Sequence, residues 1–429
     1  MNENRGIPKG WTTAVFENLL NFIQPTKFIV ASTEYDDKNQ IPVLTAGKSF
    51  ILGKTNESDN IFNEIPVIIF DDFTTATKFV NFPFKVKSSA MKILSPASKL
   101  VNIKYLFYYM QTLHINAHTH KRYWISHYSK LSVPFPPLLE QHRIVAKIEE
   151  LFSELDKGVD SLKTAQQQLT VYRQAVLKWA FEGKLTNKNM VEGQLPHGWK
   201  WVKISDISNV VRGGSPRPAG DPKYYDGNIP FLKVADITRD NSVFLNTFNY
   251  TIKEAGLHKT RKISPNTLLL SNSGATLGVP KICMIDATMN DGIAAFLNLD
   301  ERSNLYLYYF WLGKTRELRN INMGAAQPNL NTDILKNYMV PYCSFAQQKA
   351  VVTKIETRLS VADKIEETIS QSLQQAEALR QSILKRAFEG KLVPQDPNDE
   401  PAQKLLERIR AEKATQTPEK KTLKKKATL

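Results

Sequence analysis

Ala180-Phe181-Glu182-Gly183-Lys184-Leu185 returns as Ala387-Phe388-Glu389-Gly390-Lys391-Leu392. These residues close a longer repeat: 133–185 and 340–392 align without a gap at an offset of 207, with 22 of 53 positions identical. Gln141 matches Gln348, and Lys147-Ile148-Glu149 matches Lys354-Ile355-Glu356. A repeat of this length predicts two copies of one structural element in one chain.

Alternating steps of four and three from Ile148 pass through Phe152, Leu155, Val159, Leu162, Gln166, Leu169, Arg173, Val176 and Ala180. The second copy runs Ile355, Leu359, Ala362, Glu366, Ile369, Leu373, Ala376, Arg380, Ile383 and Ala387. Eight of ten positions are apolar in each, the pattern of a coiled-coil seam. Pro136-Pro137 stands before the first seam, neither seam contains proline, and Gly183 and Gly390 stand where a helix would stop. The first helix would run about 65 Å, and it could break once near 153–157. Ile365 beside Glu366 suggests that the apolar stripe shifts there. An amphipathic helix lying on its own domain is the simpler alternative, but a seam this narrow is better buried by the matching copy. Association about a two-fold axis makes that pair antiparallel. Arg173 and Arg380 interrupt it at equivalent positions, at a cost in stability, and could set its register.

The two helices frame two globular segments, one opening Ile7-Pro8-Lys9-Gly10-Trp11 and the other Leu195-Pro196-His197-Gly198-Trp199. Beyond this Pro-x-Gly-Trp match the segments differ in length and almost everywhere in sequence. Both show short strand-like runs (41–45, 64–70, 78–84 and 91–94; then 229–234, 267–271 and 294–298), each set followed by an aromatic helix at 101–110 or 305–312. The reading is α+β: a globular domain over 1–133, a helical spacer over 134–187, a second domain over 188–340, a second spacer over 341–392, and a basic, partly disordered tail over 393–429 with a short helix at 402–410. A constant frame carrying divergent modules suits a protein that reads two different things at a set distance.

The 429 residues carry a net charge of +15, which suits a polyanionic partner. No apolar run can span a bilayer and no leader is visible, so a cytoplasmic location is expected. Two cysteines, Cys283 and Cys343, exclude a disulfide framework and a cysteine-rich zinc site. Catalytic motifs fail on inspection. Gly47 to Gly53-Lys54-Thr55 has five residues between its glycines where a P-loop needs four. Glu182-Gly183-Lys184 and Glu389-Gly390-Lys391 resemble a nuclease Glu-x-Lys but sit where a glycine caps a helix. His114, His118 and His120 lack the carboxylate or cysteine partners of a metal site and better suit surface or phosphate contacts. No catalytic residue and no metal ligand is expected.

What remains are basic and polar loop clusters whose side chains suit base edges and phosphates. In the first segment they are Lys48, Lys54, Thr74, Thr75, Lys78, Lys121 and Arg122. In the second they are Arg212, Arg217, Lys223, Tyr224, the run Lys259–Lys262, Ser273, Thr276, Gln327 and Asn329.

Taken in order, Thr45-Ala46-Gly47-Lys48 through Gly53, Phe70-Asp71-Asp72-Phe73, Gly213-Gly214-Ser215-Pro216, Ser273-Gly274-Ala275-Thr276-Leu277-Gly278 and Gly324-Ala325-Ala326-Gln327-Pro328-Asn329-Leu330 resemble the specificity subunit of a type I restriction-modification system. The likeness covers nearly the whole chain. Cys343-Ser344 departs from it, where the family tends to keep proline, and leaves the start of the second helix open. The resemblance implies two target recognition domains, each reading half of a split double-stranded DNA sequence. It implies helices that fix the gap and dock two methyltransferase subunits, with restriction subunits beyond them. S-adenosylmethionine, ATP and Mg would belong to those partners, and this chain would bind no cofactor. A coiled-coil DNA-binding regulator or scaffold without a modification partner is the alternative.

Overall fold

The computed structural model describes residues 7–46, 49–113, 122–187, 189–191, 193–274, 276–321 and 330–415. The chain divides into two compact units, residues 1–161 with 372–429, and residues 162–371. Both repeats are unbroken helices of 44 residues, Leu138–Phe181 and Phe345–Phe388. The helix does not break near 153–157, a point the sequence left open: nothing in Ser-Glu-Leu-Asp-Lys opposes helix, and Asp156 is held by Arg380. The second helix starts directly after Ser344, so the loss of proline there shifts nothing; Gln348 donates to Cys343 O at 2.9 Å as Gln141 donates to Pro136 O at 2.9 Å.

Each unit contains half of each helix, and in each the halves run antiparallel. In the first, Ile148 shares a core with Ala387, while Asp156 meets Arg380 further along. In the second, Ala180 shares a core with Ile355, while Arg173 meets Asp363. Ile148, Leu169, Ile355, Ile369 and Ile383 are buried; Phe152, Leu155, Val159, Leu162, Leu359 and Leu373 are half-buried, as two helices alone allow. The expected stripe shift is absent. Ile365 is exposed, and Glu366 instead binds Arg173 at 2.7 Å. Helix ends belong to larger cores, where Ile144, Val145 and Ile148 pack with Tyr105 and Leu106, and Val351, Val352 and Ile355 with Tyr306 and Leu307.

The repeat also dictates how each module is attached. Thr12–Val15 pairs antiparallel with Ser132–Phe135, and Lys200–Lys203 with Met339–Tyr342, so the strand after each Pro-x-Gly-Trp closes on the strand before each long helix. Helix Ile103–Met110 docks through Tyr105 Oη to Pro134 O at 2.6 Å and Tyr108 Oη to Glu149 at 3.5 Å. Helix Asn304–Ile321 repeats both contacts: Tyr306 Oη donates to Pro341 O, and Tyr309 Oη lies 3.4 Å from Glu356. Above these bases the modules diverge. The first holds a four-stranded sheet, Leu20–Ile23, Met91–Pro96, Val67–Asp71 and Thr77–Val80 in spatial order, and a three-stranded one, Ile51–Thr55, Ile41–Leu44 and Lys85–Val86. The second holds a five-stranded sheet centred on Thr267–Ser271 and a four-stranded one that includes Tyr225–Leu232.

Gly183 and Gly390 follow the last helical turn with φ of 76° and 68°, and Lys184 N and Lys391 N reach back to Trp179 O and Arg386 O at 2.8 Å each. This is a Schellman stop, as the capping reading expects. A Cβ on Gly183 would lie 2.1 Å from Pro196 Cγ, and one on Gly390 2.6 Å from Pro8 Cγ. The prolines of the repeated Pro-x-Gly-Trp therefore sit on the helix-ending glycines. Gly183→Ala is expected to cost the second unit, and Gly390→Ala the first, about 2 kcal/mol or more, from the left-handed backbone plus the overlap. Thermal unfolding reads this as a fall of roughly 4–8 °C; an unchanged Tm would show that the prolines yield freely.

The short helix expected in the tail is present and packed. Ala402–Thr415 is a helix, longer than expected, whose Ala402, Leu405, Leu406 and Ile409 are buried in the first unit's core. Leu405-Leu406 and Ile409, at helical spacing, form an apolar face that the lysine-rich end of the chain obscured. Among the described residues no helix is long and apolar enough to cross a membrane.

Candidate nucleic-acid interface

In the second module two glycines let three loops converge. A Cβ on Gly213 would meet Asn290 O at 2.1 Å, and one on Gly214 would meet Lys259 O at 2.5 Å. Into this close approach comes Asp291. Its carboxylate accepts from Ser215 Oγ at 2.6 Å and lies 3.7 Å from Arg217, while its backbone oxygen accepts from Arg212 Nε at 2.5 Å. Arg261 Nε donates to Arg212 O at 3.2 Å, and Lys259 Nζ to Arg217 O at 3.3 Å. Lys259 also stands 4.3 Å above the ring of Tyr224, with Lys223 at 5.5 Å. The Lys259 ammonium, hydrogen-bonded to the Tyr224 hydroxyl, holds that phenol below its ordinary range. Five cations thus gather on one loop cluster, where Arg212, Arg217, Lys223 and Arg261 are solvent-exposed and Lys259 is half-buried. Such a surplus of guanidinium and ammonium groups suits a phosphate backbone.

Of the residues read from sequence, Arg212, Arg217, Lys223 and Tyr224 come together here. Ser273 lies at the edge, since a Cβ on Gly292 would approach its Oγ to 2.8 Å. Thr276 does not join them through its side chain; its carbonyl accepts from Ser271 Oγ at 2.7 Å. Gln327 and Asn329 lie outside the described residues, as do Lys48, Lys121 and the three histidines His114, His118 and His120.

In the first module the turn after Val67–Asp71 organises the face. Asp71 caps it by accepting from Phe73 N at 2.9 Å and Thr74 Oγ1 at 2.5 Å, and Thr75 takes a φ of 62°. Buried Asp72 accepts from Trp124 N at 2.9 Å and pairs with buried Lys92 at 3.2 Å, which brings Arg122 to the same turn. Thr74, Lys78 and Arg122 are exposed; Thr75 is half-buried. Lys54 lies apart from these, half-buried on the strand Ile51–Thr55 of the other sheet.

Sequence reading missed Asp291, which sits in Asn290-Asp291-Gly292 and looks like any turn. It also missed Lys233 and Tyr250, whose ammonium and ring are 3.5 Å apart although 17 residues separate them. No local signal marks that pair. Among the described residues no group of three or more His, Cys, Asp or Glu could hold a metal ion.

Two divergent modules with basic, solvent-facing loops, each seated on half of a duplicated helix pair, define a bipartite sequence-reading protein. The family described as "Type I restriction modification DNA specificity domain" matches residues 8–167 and 196–375, once over each module and its helix. The EcoR124I/EcoR124II specificity subunit of Escherichia coli is 29% identical over 83% of this chain and 88% of its own length. The EcoBI specificity subunit, also from Escherichia coli, is 31% identical over 68% of this chain and 67% of its own. The chain belongs to the type I restriction-modification specificity subunits. The HsdS subunit of Thermoanaerobacter tengcongensis, 18% identical, shares the fold with a TM-score of 0.55 over 90% of this chain and 98% of its own. A chain from a structure of type I R-M complex assembly and conformational transition, 17% identical, does so with a TM-score of 0.66 over 90% and 99%.

Proposed function

We propose that this chain is the non-catalytic reader of a type I restriction-modification complex, each module recognising one half of a split DNA target. The observation that carries this is the contrast between helices kept at 22 of 53 identical positions and modules that share little beyond Pro-x-Gly-Trp. The helices fix the unspecified gap and dock two methyltransferase subunits, with restriction subunits completing the complex. S-adenosylmethionine, ATP and Mg act on those partners, in the cytoplasm. The contact residues are the exposed cations of the two faces, with Thr74, Thr75, Tyr224 and Ser273 beside them; Lys48, Lys54, Lys121, Thr276, Gln327 and Asn329 complete the set.

The test exchanges residues 12–130 for the first module of another specificity subunit and maps the DNA bound. One half of the target is expected to change and the other to persist. An unchanged preference sinks the reading, and methyl transfer by the purified chain alone sinks its non-catalytic part.

A further inference from the structure

Lys233 carries an ammonium that is held in place and yet donates to nothing. It stands 3.5 Å from the ring centroid of Tyr250 and 6.0 Å from that of Tyr225, between two tyrosines. Among the described residues no hydrogen bond or ion pair engages it. Its neighbours on the same module have spent donors on protein oxygens: Lys259 Nζ on Arg217 O, Lys253 Nζ on Pro222 O, Arg212 Nε on Asp291 O and Arg261 Nε on Arg212 O.

The position is built from beneath. Asp236 is 1% exposed, and its carboxylate accepts from Lys233 N at 2.8 Å through one oxygen, and from Asn249 N at 3.1 Å and Asn249 Nδ2 at 2.8 Å through the other. One buried carboxylate therefore clamps the backbone of Lys233 to the backbone beside Tyr250. Tyr250 O in turn accepts from Phe231 N at 2.9 Å. Tyr225 is fixed from the other side: its hydroxyl donates to Pro216 O at 2.8 Å, and its ring packs edge-on against Phe231. A register slip pairs both Tyr225 and Ile229 with Ile252, which folds Tyr225 back towards Lys233. Tyr225 follows Tyr224, whose ring carries Lys259, so Lys233 borders the cation cluster of this face.

Fixing a lysine stem costs rotamer entropy, and a phosphate does not require it: the exposed Lys223 and Lys262 can follow a DNA backbone wherever it lies. That cost is offset where the position of the charge matters, which is at a base edge. An ammonium donates and never accepts, so its base must present acceptors with no donor between them. In the major groove guanine offers O6 and N7 side by side, whereas adenine sets an amino donor beside its N7.

We infer that Lys233 is a specificity-determining residue of the second module, positioned by Tyr250 and Tyr225 to read O6 and N7 of one guanine in its half of the target. This rests on the proposed function and names a base contact within it. The test selects binding sequences from randomised duplexes with the full chain. Lys233→Met is expected to lose selection at one G·C pair of one half-site and to keep the other positions, with discrimination at that pair falling by roughly 5- to 150-fold. Tyr250→Leu, which keeps the lysine but removes the ring that orients it, is expected to lose the same pair, and Tyr250→Phe, which restores a ring, to keep it. Replacing that guanine by 7-deazaguanine, which lacks N7, weakens binding by the unsubstituted chain and leaves Lys233→Met unaffected. Thermal unfolding confirms that the variants fold, and the base replacement tests the contact on the unsubstituted chain. If Lys233→Met weakens all sequences alike, with a salt slope shallower by about 0.9, Lys233 is a phosphate contact and the assignment falls. Full selectivity in Tyr250→Leu overturns the positioning, and undiminished binding of 7-deazaguanine DNA overturns the base contact. Selection of no bipartite sequence by the unsubstituted chain overturns the functional reading itself.

Discussion

Truncation after Val393 is expected to unfold the first unit while leaving the second intact. The removed helix buries Leu405, Leu406 and Ile409 to 1% exposure or less. At about 1.5–3 kcal/mol for each buried side chain, these supply roughly 5–9 kcal/mol before the entropy of ordering the helix is subtracted. A domain's whole margin is of order 5–15 kcal/mol. The cut also removes polar ties: Ala402 N to Gly10 O at 3.1 Å, Thr12 Oγ1 to Gln403 at 3.1 Å, and Arg143 to Asp399 at 2.6 Å. Asp399 raises the Arg143 guanidinium further. In urea the expected result is a new transition at low denaturant beside an unshifted one. A single transition at the original midpoint would mean that residues 394–415 only decorate the surface. Leu406→Asp, which buries a carboxylate without shortening the chain, is expected to reproduce the loss.

The frame was legible in sequence because it is written twice and with a helical period. Duplication identified the element, and steps of four and three identified the face that pairs. The closing glycines marked the stops because only a residue free of Cβ fits there. Three details escaped for physical reasons. Whether the helix breaks near 153–157 stayed open in the sequence, and an interhelical ion pair holds those residues in helix. The drift at Glu366 ignored the possibility that a polar seam position could be satisfied by Arg173 from the other helix. The helix expected at 402–410 is present, but its burial was hidden by its setting, since Asp396 to Pro401 before it and lysines after it read as solvated chain.

The modules were legible only in part. Strands such as Thr267–Ser271 matched expectation because a fully buried strand is a continuous apolar run. The faces they carry are assembled from loops far apart in sequence, and only the fold shows that Arg212, Lys259 and Asp291 share one surface. Composition predicted basic loops; it could not pick the single acid that organises them.

That acid separates two effects in the second module. Replacing Arg212, Arg217, Lys259 and Arg261 together by alanine removes four cations from one face. If each neutralises a phosphate, the slope of log affinity against log salt becomes shallower by about 0.9 per contact, roughly 3 to 4 in total. Affinity at low salt falls by orders of magnitude, and the loss narrows as salt rises. Asp291→Asn keeps all four cations and the side chain's shape but removes the charge that holds Arg217 and weakens the acceptor for Ser215 Oγ. Its expected signature is different: a slope nearly unchanged or slightly steeper, with relaxed preference among targets that differ in the second half-site, because the cations remain but their positions no longer agree. Binding titrations from low to high salt on matched and mismatched DNA distinguish the two. Equal salt slopes for the fourfold alanine variant and the unsubstituted chain would move the phosphate contacts of this module to another face.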